Sequence, residues 1–317
     1  MSVITFRNNK KGTEGFGSLY QRELFAYFIS LFFNFNFQRS RLFFYLKHKK
    51  NLSNYNGKYK TIINKFNKLF NFFNTKTYNY LVNEIDNINN LKKKRIIYNV
   101  PFHVSEKFFS KLSTSIQKNL VKKFRKKFWY FNKKIFIKKK NKIIVLHIRN
   151  KSKADIVVGE DSFTYQLFTN DYMIHNNNYK FYSSWFFNVV KKIMVENKLS
   201  KKCVKIYVCS VGKRSDFSNL YNNLKKIAKT QLVINKDEYK TFKLLINADY
   251  FIMSQSSFSY LASFINRGSK YIRNSFRHVL PYDVNIIKDY ELQGVTYLDY
   301  VYTKIGELFF KLRLYYK

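Results

Sequence analysis

The sequence predicts an α/β fold in which a parallel β-sheet carries helices on both faces. In the C-terminal half, short apolar runs alternate with segments whose apolar residues recur at helical spacing, a pattern typical of such sheets. The chain has 317 residues, of which 46% are hydrophobic, and this is enough material for a sizeable buried core. We therefore expect one large α/β domain or two smaller ones.

The predicted elements alternate regularly through the C-terminal half. Short apolar runs rich in Val and Ile are predicted to be strands, and the longer amphipathic segments between them are predicted to be helices. The predicted strands span 142–148, 204–210, 231–234 and 250–253, and the predicted helices span 182–198, 217–230, 239–246 and 254–264.

The most apolar segment of the N-terminal half, residues 24–37, is predicted to be a buried helix. It supplies only about half of the roughly 20 apolar residues that a membrane-spanning helix needs. It also contains Asn34 and Asn36. We therefore expect no transmembrane segment.

The charge of the chain is strongly unbalanced. Lys and Arg number 59 against 19 Asp and Glu, which gives a formal net charge of +40. Such charge repels itself in a compact fold and attracts phosphate backbones and anionic surfaces. AT-rich coding would raise Lys together with Asn without depleting Glu, so the asymmetry favours a functional charge over codon bias. We expect a polyanionic partner, above all RNA.

Residues 118–142 concentrate this charge. They contain twelve Lys or Arg, no acid, and interleaved Phe, Trp and Tyr. Basic side chains neutralise phosphates, whereas rings and a guanidinium stack on exposed bases. The rings are equally compatible with a buried face beneath solvated lysines. With a smaller cluster at 92–95, the predicted RNA contacts are Lys92, Lys93, Lys94, Arg95, Lys122, Lys123, Arg125, Lys126, Lys127, Trp129, Lys133, Lys134, Lys138, Lys139 and Lys140.

Two short motifs suit a phosphate-bearing ligand. Gly15 and Gly17 precede a helical run, where glycine lets a ligand approach the free amides of a helix start. Arg149 follows the strand over 142–148, at the sheet edge where ligands bind, and an Arg there can hold a pyrophosphate. The alternatives are a plain helix-start turn and a surface arginine.

A serine cluster follows the strand over 250–253. Ser256, Ser257 and Ser259 can cap the next helix and offer hydroxyls and helix-start amides to phosphate oxygens. The alternative is an N-cap without a ligand. No metal and no cofactor are expected, because the five histidines show no metal-ligand spacing.

Four strings occur in an order that resembles a known family. They are GFGSLYQ from Gly15, HIR from His147, IYVCSVGKRSDFSNL from Ile206 and ADYFIMSQSSFSYLASFINRG from Ala248. Together they resemble nucleotide-sugar glycosyltransferases related to the fucosyltransferases. The resemblance implies a GT-B-like architecture of two facing Rossmann-like domains. The expected division is an N-terminal domain over 1–145, which includes the basic stretch, and a C-terminal domain of nucleotide-sugar-binding type over 146–317.

The resemblance also implies roles for single residues. Arg149 matches the first arginine of the family's His-x-Arg-Arg-Gly-Asp motif, which binds the donor diphosphate. Asp249 matches an acid that contacts the base, and Ser256 and Ser257 match hydroxyls near the phosphates. The chain departs from the motif at residues 150–152, where Asn-Lys-Ser replaces Arg-Gly-Asp. This departure predicts a degenerate member with impaired donor activation.

Three functions remain open. The first is a non-catalytic RNA-binding component of an organellar ribonucleoprotein, above all the mitochondrial ribosome, in contact with rRNA and neighbouring proteins. The second is an active fucosyltransferase-like enzyme that uses a GDP-sugar, or a protein with residual nucleotide-sugar binding. The third is an accessory subunit of another mitochondrial complex.

The composition, with 34 Phe and 26 Tyr but only 9 Gly and 2 Pro, indicates AT-rich coding. The first residues resemble neither a secretory signal nor an import presequence, so we expect an organelle-encoded protein of the mitochondrial matrix.

Overall fold

The structure, a computed structural model, describes residues 3–6, 16–39, 56–71, 82–84, 88, 91, 97–137, 140–148, 179–273, 279–288 and 291–292. The strands are β1 (Val3–Phe6), β2 (Asn36–Arg39), β3 (Val82–Glu84), β4 (Ile97–Asn99), β5 (Lys142–His147), β6 (Val204–Ser210), β7 (Lys229–Ile234), β8 (Tyr250–Ile252), β9 (Ser269–Ile272) and β10 (Val284–Ile286). The helices are α1 (Phe16–Phe32), α2 (Asn56–Leu69), α3 (Phe102–Lys111), α4 (Thr114–Phe131), α5 (Tyr179–Glu196), α6 (Ser218–Ile227), α7 (Glu238–Asn247) and α8 (Ser257–Ile265).

The larger sheet contains six parallel strands in the order β7-β6-β5-β8-β9-β10. Counted from its first strand, this is the 3-2-1-4-5-6 order of a doubly wound Rossmann-type sheet. The direction of winding reverses between β5 and β8. In open α/β sheets the carboxyl ends of the strands at such a reversal border the ligand crevice.

The smaller sheet contains four parallel strands in the order β2-β1-β4-β3. Together the two sheets confirm the predicted α/β fold with two Rossmann-like units. The predicted boundary between residues 145 and 146 needs correction, because it falls inside β5. Lys142 is already paired with Val204 in the larger sheet. The second unit therefore begins no later than Lys142.

Alternating side chains of β5 face two separate cores. Ile143 and Val145 belong to a core that also contains residues of β1, α1, α4, α7 and α8. Ile144 and Leu146 belong to a second core formed with α5 and α6. The first core links the two sheets. Because α4 contributes to the first core and α6 to the second, these two helices lie on opposite faces of the larger sheet.

The predicted elements of the C-terminal half are confirmed, with β6 spanning the predicted 204–210. Residues 24–30 of the apolar segment 24–37 are buried as predicted, whereas Phe32 and Asn34 are exposed, and the helix ends at Phe32. Asn34 then adopts a left-handed backbone with φ 56, and β2 begins at Asn36. Asn accepts that conformation more readily than most residues. Over the described ranges, no helix is long and apolar enough to cross a membrane.

Candidate functional site

The winding reversal of the larger sheet holds a histidine and two serines. His147 ends β5, and its Nδ1 lies 2.6 Å from the hydroxyl of Ser259 and 3.1 Å from that of Ser254. The Phe258 ring packs against the imidazole at 5.6 Å between centroids. Strand β5 therefore ends in direct contact with the start of α8, where the sequence predicts a phosphate site.

The serine hydroxyls at this edge are engaged within the fold. The Ser256 hydroxyl accepts hydrogen bonds from the backbone N–H groups of Phe258 at 3.2 Å and Ser259 at 3.4 Å, as an N-cap does. Ser256 and Ser259 are both buried, whereas Ser257 is half-buried. Ser256 and Ser259 are thus placed where the sequence predicts them, with their hydroxyls already bonded inside the protein.

Gly17 brings the first unit onto the same edge. A Cβ at this position would lie 2.5 Å from the backbone N of Phe258 and 2.7 Å from the carbonyl carbon of Ser257. Real Cβ atoms do not approach backbone so closely, so the start of α1 packs on α8 through the bare glycine. Gly17, His147 and the serines converge. Gly15, Arg149 and residues 150–152 lie outside the described residues.

Asp249 lies at the amino edge of the larger sheet, where its strands begin, and the converging motifs lie at the carboxyl edge, where they end. Asp249 precedes β8, and its Oδ2 accepts a hydrogen bond from the N–H of Ile143 at 2.8 Å. Ile143 is near the start of β5, whereas His147 is at its end. The structure therefore does not bring Asp249 together with the converging motifs, and its contact with a base stays a prediction.

Helix α4 carries six of the nine predicted RNA contacts that the structure describes, and it separates them into two faces. Its buried face includes Leu120, Val121, Phe124, Arg125, Phe128 and Trp129. Trp129 Nε1 donates a hydrogen bond to the Ile265 carbonyl at 3.1 Å. Arg125 donates to the carbonyls of Phe264 at 2.8 Å and Ser263 at 3.0 Å. These carbonyls end α8, so Arg125 and Trp129 satisfy acceptors that the helix itself leaves open.

The assignment of Arg125 and Trp129 to RNA is therefore corrected. Arg125 also forms a two-pronged ion pair with Asp283, with Nη1 to Oδ2 at 2.6 Å and Nη2 to Oδ1 at 3.1 Å. Neither side chain can stack on a base at the surface while it keeps these buried partners. Both instead lock α4 onto the second unit.

Asp283 is shared by a second cation, the buried Lys270, whose Nζ lies 2.9 Å from Oδ2. Burial and the positive charge of Arg125 lower the pKa of Lys270 to about 8, although Asp283 opposes the shift. Burial acts to raise the pKa of Asp283, but hydrogen bonds and charge attraction from Arg125 and Lys270 outweigh it. The pKa of Asp283 is therefore lowered. One carboxylate thus balances two cations.

The exposed side of α4 and the turn after it form what we call the α4 lysine face. All of its members are exposed, and they are Lys118, Lys122, Lys123, Lys126, Lys133 and Lys134. Helical spacing places Lys118, Lys122 and Lys126 in one row along the helix. No ion pair joins this face to an acid among the residues that the structure describes. The face therefore carries uncompensated positive charge on a firmly anchored helix.

The remaining predicted RNA contacts lie beside this face or among residues that the structure does not describe. Lys127 is half-buried over the Tyr27 ring at 5.3 Å, and burial lowers its pKa. Lys140 is exposed. Residues 92–95 and 138–139 lie outside the described part of the chain. Sequence reasoning missed Lys118 as a contact, although it begins the row that continues through Lys122 and Lys126.

The described ranges contain no cluster of three or more His, Cys, Asp or Glu side chains that suits a metal ion.

No protein-family model matches the sequence, and no curated protein matches it. Solved structures do show a distant likeness. Crystal structures of POFUT1 in complex with GDP and with GDP-fucose match 90% of this chain, at 12% or 13% sequence identity and TM-scores of 0.32 and 0.31. This chain covers 72% and 73% of those proteins. These values are too low to bear on the site.

Proposed function

We propose that the protein binds RNA through the α4 lysine face, as a non-catalytic structural component of a mitochondrial ribonucleoprotein, above all the ribosome. The observation that carries the proposal is a row of exposed lysines that form no ion pair with any acid in the described ranges, on a helix whose other side is anchored by Arg125 and Trp129. Lysines on a fixed helix can neutralise several phosphates at once. In this proposal the fold is a degenerate glycosyltransferase-like scaffold in contact with rRNA and neighbouring proteins.

The charge of the whole chain supports the same partner. A net charge of +40 favours association with a dense polyanion and disfavours an isolated compact protein. Phosphate contacts release counterions, so about six of them predict a slope near −4 for log K against log salt on single-stranded RNA. Measuring the affinity of the purified chain for RNA between low and physiological salt tests the proposal. Undetectable or salt-independent binding would rule it out.

The ribosomal assignment has its own test. If the protein is a ribosomal component, it should sediment with ribosomal particles from a mitochondrial lysate and leave them at high salt. Ribonuclease treatment should release it from the heavy fractions as well. Recovery with membranes instead would favour the accessory-subunit alternative, in which acidic lipid headgroups or subunits meet the basic surface.

A GDP-sugar-dependent glycosyltransferase is the second candidate. The observation that favours it is the convergence of Gly17, His147 and the serines at the winding reversal, where Rossmann-type sheets bind nucleotides. Against it, Ser256 and Ser259 already bond within the fold. Calorimetry with GDP-sugars tests it. Binding that is lost in Arg149→Ala would establish the site, and no binding of any donor would dismiss it.

A further inference from the structure

A concave site lies at the amino edge of the larger sheet, away from the converging motifs. It is a pocket of about 380 Å³ whose lining includes Trp129, Phe136, Lys142, Asp249, Arg267 and Ser269. This volume is within the roughly 300–1,000 Å³ of small-molecule sites. Trp129, near the end of α4, is part of the lining, so the pocket adjoins the helix that carries the α4 lysine face.

Phe136 stands at this pocket as an exposed but fixed ring. Its side chain is 57% exposed and meets Trp129 edge-on, with 6.1 Å between centroids. The backbone on both sides is held by the Asn247 side chain, which donates to the Ile135 carbonyl and accepts from the Ile137 N–H, both at 3.1 Å. A fixed ring with a solvent-facing surface is a platform on which a flat partner loses little entropy when it stacks.

A planar cation faces the same space. The Arg267 guanidinium lies 5.2 Å from the centre of the Trp129 ring, and the residue is exposed. Because Trp129 is fixed by its bond to Ile265, it supports the guanidinium from behind. Guanidinium planes and aromatic rings are the groups on which unpaired RNA bases stack.

The lining of the pocket contains one exposed lysine, Lys142 at the start of β5, and one acid. Lys133, Lys134 and Lys140, which precede it in the chain within four residues of the exposed ring, are also exposed. Asp249 provides a carboxylate, an acceptor suited to the amino groups of nucleobases. Lysines next to a lining of rings and one carboxylate match a nucleotide whose base points inward and whose phosphates stay outside.

We propose that this pocket takes one unstacked base of single-stranded RNA, between Phe136 and Arg267, while the flanking phosphates lie along the lysines. This inference rests on the proposed RNA-binding function and locates a base contact within it. It places RNA at the amino edge of the sheet. The crevice where the glycosyltransferase resemblance implies a donor lies at the carboxyl edge.

The test compares a single-stranded RNA with an oligonucleotide of equal length that carries abasic sites. The full chain should bind the base-bearing RNA more tightly. Phe136→Leu, which keeps apolar bulk but removes the ring, should lower that affinity by about fivefold or more. It should leave both the affinity for the abasic strand and the salt slope unchanged, because no phosphate contact is lost. The matched control is Phe131→Leu, since Phe131 is 60% exposed but does not line the pocket.

Each other outcome overturns the inference in a recognisable way. Equal effects of Phe136→Leu and Phe131→Leu, or an equal loss on the abasic strand, would show that no base enters the pocket. If the Phe136→Leu variant bound RNA as the wild type does but no longer sedimented with ribosomal particles, the ring would instead contact a neighbouring protein. Binding of single nucleotides but not RNA would assign the pocket to a free nucleotide. Strong, salt-dependent binding of both strands with equal affinity would contradict base binding in the pocket, but it would agree with the proposed RNA-binding function. If the wild-type chain bound neither strand, both this inference and the proposed RNA-binding function would be wrong.

Discussion

Arg125 and Asp283 are joined by two hydrogen bonds, at 2.6 and 3.1 Å, although 158 residues separate them in the chain. Arg125 lies in the middle of α4, and Asp283 immediately precedes β10. Because Arg125 also binds the last carbonyls of α8, one guanidinium ties α4 to two elements of the larger sheet's unit. The exposed lysines on the other side of α4 are held in place by this anchor.

Replacing the anchor should destabilise the fold. In Arg125→Met, the apolar stem remains while two helix-end carbonyls lose this donor and Asp283 keeps only Lys270 as a cationic partner. The expected loss in the free energy of unfolding is about 2–4 kcal/mol. Urea denaturation measures it. Lys126→Met, an exposed neighbour on the same helix, is the control and should change stability by less than about 0.5 kcal/mol. Equal stability of the two variants would contradict the anchoring role.

The same carboxylate gives the fold a dependence on acid pH. Since the folded-state pKa of Asp283 is lowered, the unfolded chain binds the proton first as the pH falls. The stability that Asp283 contributes is therefore present above its unfolded pKa of about 3.9 and is lost as the pH falls through its folded pKa. Asp283→Asn should be less stable than the wild type at pH 7, with the difference shrinking below pH of about 4. A difference that stays constant across denaturation curves from pH 7 to 3 would show that the Asp283 ionisation is not linked to folding.

The contact between α1 and α8 depends on the absence of a side chain at Gly17. In Gly17→Ala the new methyl group would meet the backbone at Ser257 and Phe258, which cannot rotate away. The expected cost is about 1–3 kcal/mol of unfolding free energy, as for other overpacked sites. Thermal and urea unfolding measure this cost, with Asn119→Ala on the exposed side of α4 as the control. Wild-type stability of Gly17→Ala would mean that the two helix starts do not touch.

Local pattern predicted β5, β6, β7 and β8, because each contains a short apolar run next to amphipathic helices, whereas β9 and β10 were not predicted. β6 shows this, since Val204–Ser210 alternates between buried and half-buried positions before becoming fully buried. The smaller sheet was expected only from the resemblance. Its strands have three or four residues each, too few for a periodic signal.

The roles of single residues in α4 were harder to predict. The spacing of Leu120, Phe124 and Phe128 indicates a buried stripe, and Arg125 and Trp129 lie next to it on the helix. Their partners, Asp283 and Ile265, are more than a hundred residues away, and nothing local points to them. Asp249, by contrast, directly precedes the strand predicted over 250–253, and the parallel register of β5 and β8 places it at the amino edge accordingly.

The central claim, that the α4 lysine face binds RNA, is tested most directly by removing three of its charges. We predict that the triple variant Lys122→Gln, Lys123→Gln and Lys126→Gln binds RNA more weakly, with a salt slope shallower by about 2, because three phosphate contacts are lost. The matched control removes three exposed lysines of α5 and α6, which lie on the opposite face of the larger sheet, as Lys191→Gln, Lys225→Gln and Lys226→Gln. This control should keep nearly the wild-type slope. Equal loss in the two triple variants, or none in the α4 variant, would contradict the account.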